Sequence, residues 1–352
     1  MSILRSDQAH VRWGCGALLL LIAIAYPTGV SAHVKWFVNY NESVRPIPFS
    51  DVATPSFLLI YTGFIVIFFL GLLADAWLTN RWPCLTSAGK TFIGFQEKWV
   101  RLGVGAFLLC MWSSHLNILT PELHTNMAWV FTIQFISAFC VAWKRTCFLS
   151  ALGICVLYLY ALTQYGFFHM LDYVYFLGLA VFLAGVTLPK LAQIRVQVMT
   201  AALAFSIMWT AIEKFVYPQW TNQVLQPHPG MAVSLPFSLV IIIAGFVAFT
   251  LAFYLVIGRG LLRVGSLILL LVFVVAMPEF GHRDVVGHIP LVAILMVPFV
   301  GGDTTLQRFW RIREGSILAC AALACVLYTA SLAVFFLAYY GVQWMEYPHA
   351  GV

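Results

Sequence analysis

Long apolar stretches, separated by short polar connections, recur along the whole chain. Most are close to the length, about 20 residues, that a helix needs to cross the hydrocarbon core of a bilayer. Because only a helix satisfies its own backbone polar groups within such a segment, we predict helices and not strands. The predicted segments are residues 13–32, 56–78, 102–120, 128–143, 147–166, 172–189, 197–217, 237–258, 264–278, 288–301 and 315–341.

Composition supports this interpretation. Of the 352 residues, 62% are hydrophobic and only 9% are charged, whereas an ordinary soluble domain carries about 25% charged residues. Such a chain has too little polar surface to be a soluble enzyme, a disordered protein or a nucleic-acid binder. We therefore predict an all-α, polytopic integral membrane bundle of ten or eleven transmembrane helices, with the lipid bilayer as its partner.

The basic residues predict the orientation. With the N-terminus inside, fifteen of them fall inside and four fall outside or near an outer helix end, as the positive-inside rule requires. We expect a multi-pass protein of the bacterial inner membrane with its C-terminus outside. The inner residues are Arg5, Arg12, Arg81, Lys90, Lys98, Arg101, Lys144, Arg145, Lys190, Arg195, Arg259, Arg263, Arg308, Arg311 and Arg313, and the outer ones are Lys35, Arg45, Lys214 and Arg283.

The first segment has two interpretations. Residues 1–32 have the basic start, short apolar core and small-residue end of a signal peptide cleaved after Ala32, but they are also long enough to remain as the first helix. Cleavage would leave ten spans and make His33 the first residue, whose free amine and imidazole could chelate copper together. Both interpretations place residues 33–55 outside.

The chain also contains a sign of internal duplication. The sequences WSSHLNILTPEL and WTAIEKFVYPQW begin at Trp112 and Trp209, and their prolines, Pro121 and Pro218, keep the same offset. Two four-helix units related by an axis along the membrane normal would produce this pattern; chance similarity between apolar helices is the alternative. The predicted organisation is a helix with a basic inner loop, two units, and a C-terminal helix with its tail: residues 56–98, 99–194, 195–301 and 302–352.

Histidines and carboxylates are concentrated at the predicted outer face. Eight of the nine histidines lie there, and imidazole with carboxylate suits zinc, copper or iron as well as proton transfer. The alternative is that outer loops simply hold scattered polar residues. The candidate metal ligands are His33, His115, His124, His169, His282, His288, Asp284 and Glu279.

Ionisable residues within helices supply the candidate catalytic groups. Glu213 and Lys214 are adjacent inside a predicted helix, where a charged side chain by default marks a functional site. Lys214 could instead extend to the interface, and an interfacial position suffices to explain Asp75. Asp172, three residues after His169, is the third candidate catalytic residue.

Tryptophans at the helix ends have a structural and a functional interpretation. Aromatic belts are expected of any membrane protein, but such rings also border quinone headgroups. Trp112 and Trp209 are the candidate cofactor-binding residues on this basis.

One stretch resembles a known family. A basic residue opens a helix, an aromatic residue and Glu-Lys-x-x-x-Pro follow near its outer end, and IGRGLLRVGSLILLLVFVVAMP comes next. This arrangement resembles the DoxX-like membrane proteins, best over 195–301 and more weakly over 99–189. The resemblance implies four-helix units, some of which are linked to thiosulfate:quinone oxidoreduction. The chain departs from that family in its doubling, its outer N-terminal segment and its added last helix.

Together these features predict a quinone-linked or metal-dependent redox component with its active face outside. In this hypothesis the outer histidines bind a metal or relay protons, and Glu213 exchanges a proton. The cofactor would be a quinone or a transition metal (copper, iron or zinc), and other membrane or periplasmic redox subunits would be partners. The alternatives are a transporter of a small solute or metal ion, suggested by repeats with a charged residue between them, and a non-catalytic membrane assembly partner.

Overall fold

A computed structural model describes residues 34–82, 90–115, 117–232, 234–258, 261–301 and 316–348. Within these ranges the chain is helical and forms no strand, apart from an isolated bridge between Asn117 and His124. The predictions for residues 1–32 and for His33 lie outside the described residues.

Each predicted segment from 56–78 onwards overlaps a helix, although the helix that overlaps 102–120 runs over Lys90–Ser114. For example, the segment predicted over 56–78 forms a helix over Pro55–Arg81. The α-helices of the described residues are α1 (Phe49–Val52), α2 (Pro55–Arg81), α3 (Lys90–Ser114), α4 (Ala128–Cys140), α5 (Cys147–Tyr165), α6 (Phe167–Met170), α7 (Tyr175–Thr187), α8 (Pro189–Ala192), α9 (Arg195–Val216), α10 (Pro218–Leu225), α11 (Phe237–Ile257), α12 (Leu262–Phe280), α13 (His282–Gly301) and α14 (Ile317–Glu346).

Seven helices of the described chain are long and apolar enough to cross a membrane: α2, α5, α9, α11, α12, α13 and α14. The segments Phe167–Tyr173 and Tyr175–Thr187, bent by 55° to each other, make an eighth if they cross as one broken span. These helices confirm an all-helical membrane protein. The count for the described residues is below the predicted ten or eleven because the segment predicted over 13–32 lies outside them, α3 carries charged residues in its first half, and α4 has only 13 residues.

Eight helices pack in a closed ring. In order around the ring they are α3, α4, α5, α7, α9, α11, α12 and α13, and α13 packs back against α3. Outside the ring, α2 and α14 pack against each other, α2 against α11 and α14 against α9. Helix α9 also contacts α13 across the ring, so its side chains face protein on most sides.

The break between α5 and α7 positions several polar side chains. Helix α5 ends at Gly166, whose φ of +85° is accessible to glycine at little cost. A Cβ at this position would also collide with the Glu346 carboxylate of α14, which accepts a 2.7 Å hydrogen bond from the Phe168 N–H. This contact ties the start of α6 to the end of α14.

Asp75 is buried and not interfacial, contrary to our expectation. Its side chain is 2% exposed, and it accepts hydrogen bonds from the Tyr254 hydroxyl and, at 2.9 Å, from the Leu261 N–H. The carboxylate therefore joins α2 to the connection between α11 and α12.

Candidate functional site

Ionisable side chains from four segments of the chain lie together at one end of the bundle, where α9 ends. We call this end of the bundle the relay end. The four segments are the N-terminal segment 34–54, the loop 117–127, the break 167–173 and α9 itself. The cluster that they form consists of Lys35, Glu42, Glu122, His169, Asp172 and Glu213.

The Lys35 ammonium lies at the centre of three carboxylates. Its Nζ is 2.6 Å from Glu42 Oε1, 2.6 Å from Asp172 Oδ2 and 2.8 Å from Glu213 Oε2. The ammonium donates hydrogen bonds to Glu42 and Asp172 and makes an ion pair with Glu213. Lys35 is 4% exposed, and these contacts replace the water that it loses on burial.

Aromatic rings complete the surroundings of the ammonium. Lys35 Nζ lies 5.5 Å from the ring centres of Tyr40 and Trp220 and 6.0 Å from that of Phe168. The faces of such rings attract a cation and exclude water, which strengthens every electrostatic interaction inside the cluster.

His169 bridges two further carboxylates. Its Nδ1 is 2.7 Å from Glu42 Oε1 and its Nε2 is 3.0 Å from Glu122 Oε1. The imidazole is 1% exposed and stacks on the Tyr40 ring at 5.6 Å. Both ring nitrogens therefore face an acceptor, which fixes the orientation of the imidazole.

Tyr173 and Trp36 extend the network. The Tyr173 hydroxyl donates to Glu122 Oε1, and the Trp36 Nε1–H donates to the Tyr173 oxygen at 3.0 Å. A continuous series of polar contacts thus joins Tyr173, Glu122, His169, Glu42, Lys35 and, at its far end, Asp172 and Glu213. We call this series the relay.

Hydrogen bonds hold the N-terminal segment over the end of the bundle. Arg283 donates to the Trp36 carbonyl at 3.2 Å, the Ile47 N–H donates to the Val216 carbonyl at 3.1 Å, and the Tyr340 hydroxyl donates to the Ile47 carbonyl at 2.7 Å. These anchors come from α13, α9 and α14, so Lys35 and Glu42 are positioned by three helices.

The ion pairs shift the pKa values of Lys35 and Glu42, the two relay residues in the N-terminal segment. Burial alone would lower the pKa of Lys35, but Asp172, Glu213 and Glu42 raise it well above its ordinary value. Burial alone would raise the pKa of Glu42, but Lys35 and His169 lower it to about 2. Both groups are therefore ionised at neutral pH.

Negative charge is in excess at the relay end when all its groups are ionised. Four carboxylates, those of Glu42, Glu122, Asp172 and Glu213, face the ammonium of Lys35 and the imidazole of His169. Burying uncompensated charge costs free energy. The four carboxylates together therefore favour binding an additional proton.

The predicted catalytic residues lie in or beside the relay. Asp172 and Glu213 are members of it, with 1% and 3% of their surfaces exposed. Lys214 does not extend to an interface, because it is buried with 2% exposure.

The predicted metal ligands are dispersed, and only His169 belongs to the relay. His115, His124 and His282 are exposed, whereas His288 is buried, with its Nδ1 3.2 Å from Asp284 Oδ2. Exposed Glu279 pairs instead with His228, at 2.6 Å.

The expected grouping of Glu279, His282, Asp284 and His288 around one ion is thus not formed. Among the described residues, the only group of three or more metal-ligand side chains with their atoms within 4.8 Å is Glu42, His169 and Asp172. The Lys35 ammonium already contacts two of these three side chains, so a metal would have to displace it.

The two predicted cofactor-binding tryptophans have different surroundings. Trp209 is buried beside Phe168, Phe205 and Tyr339, with ring centres 5.9, 6.0 and 4.7 Å away. Trp112 is partly exposed and packs on His115 and Phe135. Only Trp209 is next to the relay.

Sequence reasoning missed Lys35, Glu42, Glu122 and Tyr173 as site residues. Lys35 did carry a signal, since it is one of few basic residues on the side from which basic residues are excluded. Its partners Asp172 and Glu213 are far away along the chain, so only the fold brings them together.

Comparisons with known proteins give no match: no family model, no curated protein and no solved structure is similar to this chain.

Proposed function

We propose that this chain is a proton-coupled membrane protein, in which the relay exchanges protons between the face at the relay end and the interior of the bundle. The observation that carries the proposal is the position of His169 between Glu122 and Glu42, with the contacts continuing through Lys35 to Glu213. Chains of carboxylate and histidine groups within membrane proteins are typical of proton relays.

The relay has two different ends. Glu122 lies in a loop, with its side chain 6% exposed, whereas Glu213 lies within α9, with its side chain 4% exposed. A proton that arrives at Glu122 meets His169 next, and a histidine transfers protons through its two nitrogens. Glu213 is the group that presents or accepts the proton inside the bundle, as the sequence hypothesis holds.

The proposal includes the finer features expected from the sequence. Ten spans require the broken span 167–187, α3 and α4 to cross the membrane in addition to the seven long helices, with the relay end outside. The ring supports two repeats, because α7 of the first unit packs on α9 of the second and α13 of the second packs on α3 of the first. Nothing in the comparisons bears on the resemblance to DoxX-like proteins, which stays a prediction.

Proton flux into sealed vesicles tests the proposal. Purified protein is reconstituted with a pH-sensitive dye inside, and a potassium potential drives proton entry. We expect the wild type to acidify the lumen, and Glu213→Gln and His169→Phe to slow acidification roughly 100-fold, the scale of a lost acid–base group. Glu279→Gln is the matched control, because Glu279 is an exposed carboxylate that lies outside the relay.

Equal flux in wild type and Glu213→Gln vesicles would overturn the proposal. The same conclusion would follow if Glu279→Gln slowed acidification as much as Glu213→Gln did. Circular dichroism and thermal unfolding of each variant show that it is folded before its flux is compared.

A quinone-linked redox reaction is the second candidate, favoured by one observation. Trp209 Nε1 and the Tyr339 hydroxyl are buried polar groups with no hydrogen-bond partner among the described residues, and their rings lie 4.7 Å apart beside Phe168. Both are donors that suit a quinone carbonyl. Quinone retained by the purified wild type and lost in Trp209→Phe would support this candidate; equal retention would exclude Trp209 from it.

A further inference from the structure

Basic side chains also gather at the opposite end of the bundle, where α9 begins. They come from the first half of α3, from the connection between α4 and α5, from the connection between α7 and α9, and from the first residue of α9. We call this set the basic patch: Lys98, Arg101, Lys144, Arg145, Lys190 and Arg195.

Glu97 fixes the inner part of the basic patch. Its carboxylate lies 2.9 Å from Lys144 Nζ and 3.2 Å from Arg195 Nη2. Arg101 contacts Glu97 at 3.5 Å and donates to the Val141 carbonyl at 2.9 Å. One carboxylate on α3 therefore joins the connection before α5 to the start of α9.

The two arginines of this inner part, Arg101 and Arg195, are held by contacts within the protein. Besides Glu97, Arg195 donates to the Gly185 carbonyl at 3.3 Å and lies 5.0 Å from the ring centre of Phe182. Arg101 is equally occupied by the carbonyls that follow α4.

In the outer part of the basic patch, which consists of Lys98, Lys144, Arg145 and Lys190, most side chains have no carboxylate partner among the described residues. Lys98, Arg145 and Lys190 are exposed, and within the described ranges none has a carboxylate within 4.0 Å. The Lys144 side chain is 65% exposed despite its contact with Glu97. Of the six basic residues in the basic patch, three contact the Glu97 carboxylate: Arg101, Lys144 and Arg195.

Exposed apolar side chains border the basic patch. Trp143 is 62% exposed, and Leu188 and Ile194 are each 47% exposed. They flank Lys144 and Lys190 along the chain, and tryptophan beside basic residues is typical of the membrane–water interface. The surroundings therefore combine positive charge with exposed apolar surface.

We propose that the outer part of the basic patch binds the phosphodiester headgroup of an anionic phospholipid, with Lys144, Arg145 and Lys190 as its main contacts. Basic pockets between transmembrane helices on this side of a membrane bind such headgroups. The apolar rim favours a lipid over a free phosphate, because acyl chains can cover it while a free ion leaves it in water. The inference does not depend on the relay, which lies at the other end of α9.

Lipid retention in native mass spectrometry tests the proposal. Full-length protein is titrated with phosphatidylglycerol and, separately, with zwitterionic phosphatidylcholine. We expect the wild type to prefer phosphatidylglycerol, and each of Lys144→Gln, Arg145→Gln and Lys190→Gln to weaken that binding about fivefold. Lys144→Arg keeps the charge and should retain the binding.

Arg45→Gln is the matched control, because Arg45 is an exposed basic residue at the relay end. The proposal is overturned if the triple variant binds phosphatidylglycerol as the wild type does, or if Arg45→Gln weakens binding as much as the single variants. Displacement of the lipid by an equal concentration of inorganic phosphate would assign the site to free phosphate instead. Thermal unfolding of the triple variant, whose substitutions are all on exposed side chains, confirms that it is folded.

Discussion

Lys35 loses nearly all of its contact with water, so its ammonium is stable only while the three carboxylates and the aromatic rings surround it. The converse also holds, because the carboxylates of Asp172 and Glu213 depend on Lys35. Removing one partner of a buried ion pair leaves uncompensated charge, which is far more destabilising than losing an exposed pair. The charged residues of the relay therefore stabilise one another, and removing one of them destabilises its partners.

Lys35→Met should destabilise the protein by about 3–5 kcal/mol, since a neutral side chain of similar length leaves three carboxylates facing one another. Thermal unfolding in detergent measures the effect. The double variant Lys35→Met/Glu213→Gln should recover part of the loss. An unchanged unfolding midpoint for Lys35→Met, or the same decrease for exposed Arg45→Met, would contradict the ion-pair assignment.

The lowered pKa of Glu42 predicts how the stability of the protein depends on pH. Its pKa is about 2 in the folded protein, below the ordinary 4.5, so its contribution is fully present above about pH 4.5 and is lost as the pH falls towards 2. Glu42→Gln should reduce the slope of stability against pH in this window. An unaltered slope in Glu42→Gln would refute the prediction.

Some of the relay was predictable from local sequence and some was not. Glu213 and Asp172 were found because a carboxylate in a membrane helix, or close to a histidine, is chemically unusual. Lys35 and Glu42 belong to a short polar segment without any pattern, and their contacts with Asp172 and His169 span 137 and 127 residues. No periodicity in the sequence encodes such a pairing.

At the scale of elements, the N-terminal segment depends on close packing against α13. Trp36 lies directly against Gly287, where a Cβ would overlap the indole ring, and its ring centre is 5.1 Å from that of His288. The segment carries two members of the relay, so its docking determines whether the relay exists. Glycine at position 287 is therefore a requirement of the site as well as of the fold.

Gly287→Ala should loosen this docking and destabilise the protein by roughly 1–3 kcal/mol, the usual range for overpacking. Hydrogen exchange over residues 34–48 should rise at the same time. Gly63→Ala is the control, since a Cβ there meets no atom within 4 Å and alanine favours the helix by about 0.5–1 kcal/mol. Unchanged exchange in Gly287→Ala would show that Trp36 is not held as described.

Helix positions were predicted better than their interruptions. The segments 147–166 and 172–189 correspond to α5 and α7 because apolar composition determines both. The role of the intervening break was not predicted, because it depends on Gly166 meeting Glu346 of α14, a contact between distant parts of the chain.

At the scale of the whole molecule, charge separates the two ends of the ring. The relay end holds most of the buried carboxylates, and the opposite end holds the basic patch. This polarity follows the positive-inside distribution from which the orientation was predicted. The membrane class was evident from composition, but the ring depends on contacts between helices that each look alike in sequence.

Reporter fusions test the proposed orientation. Alkaline phosphatase fused after His228 and after residue 352 should be active, because both positions are expected outside, whereas a fluorescent protein fused after Lys190 should fold and fluoresce inside. A fluorescent C-terminal fusion, or phosphatase activity at Lys190, would contradict the proposed number and direction of spans.

The central claim is that Glu213 receives protons through His169, and time-resolved infrared spectroscopy tests it most directly. After a rapid drop in pH, we expect a carboxyl band that is absent in Glu213→Gln. In His169→Phe this band should reach a similar final amplitude, but about 100-fold more slowly. A Glu213 band that rises at the same rate with and without His169, or no Glu213 band at all, would contradict the relay.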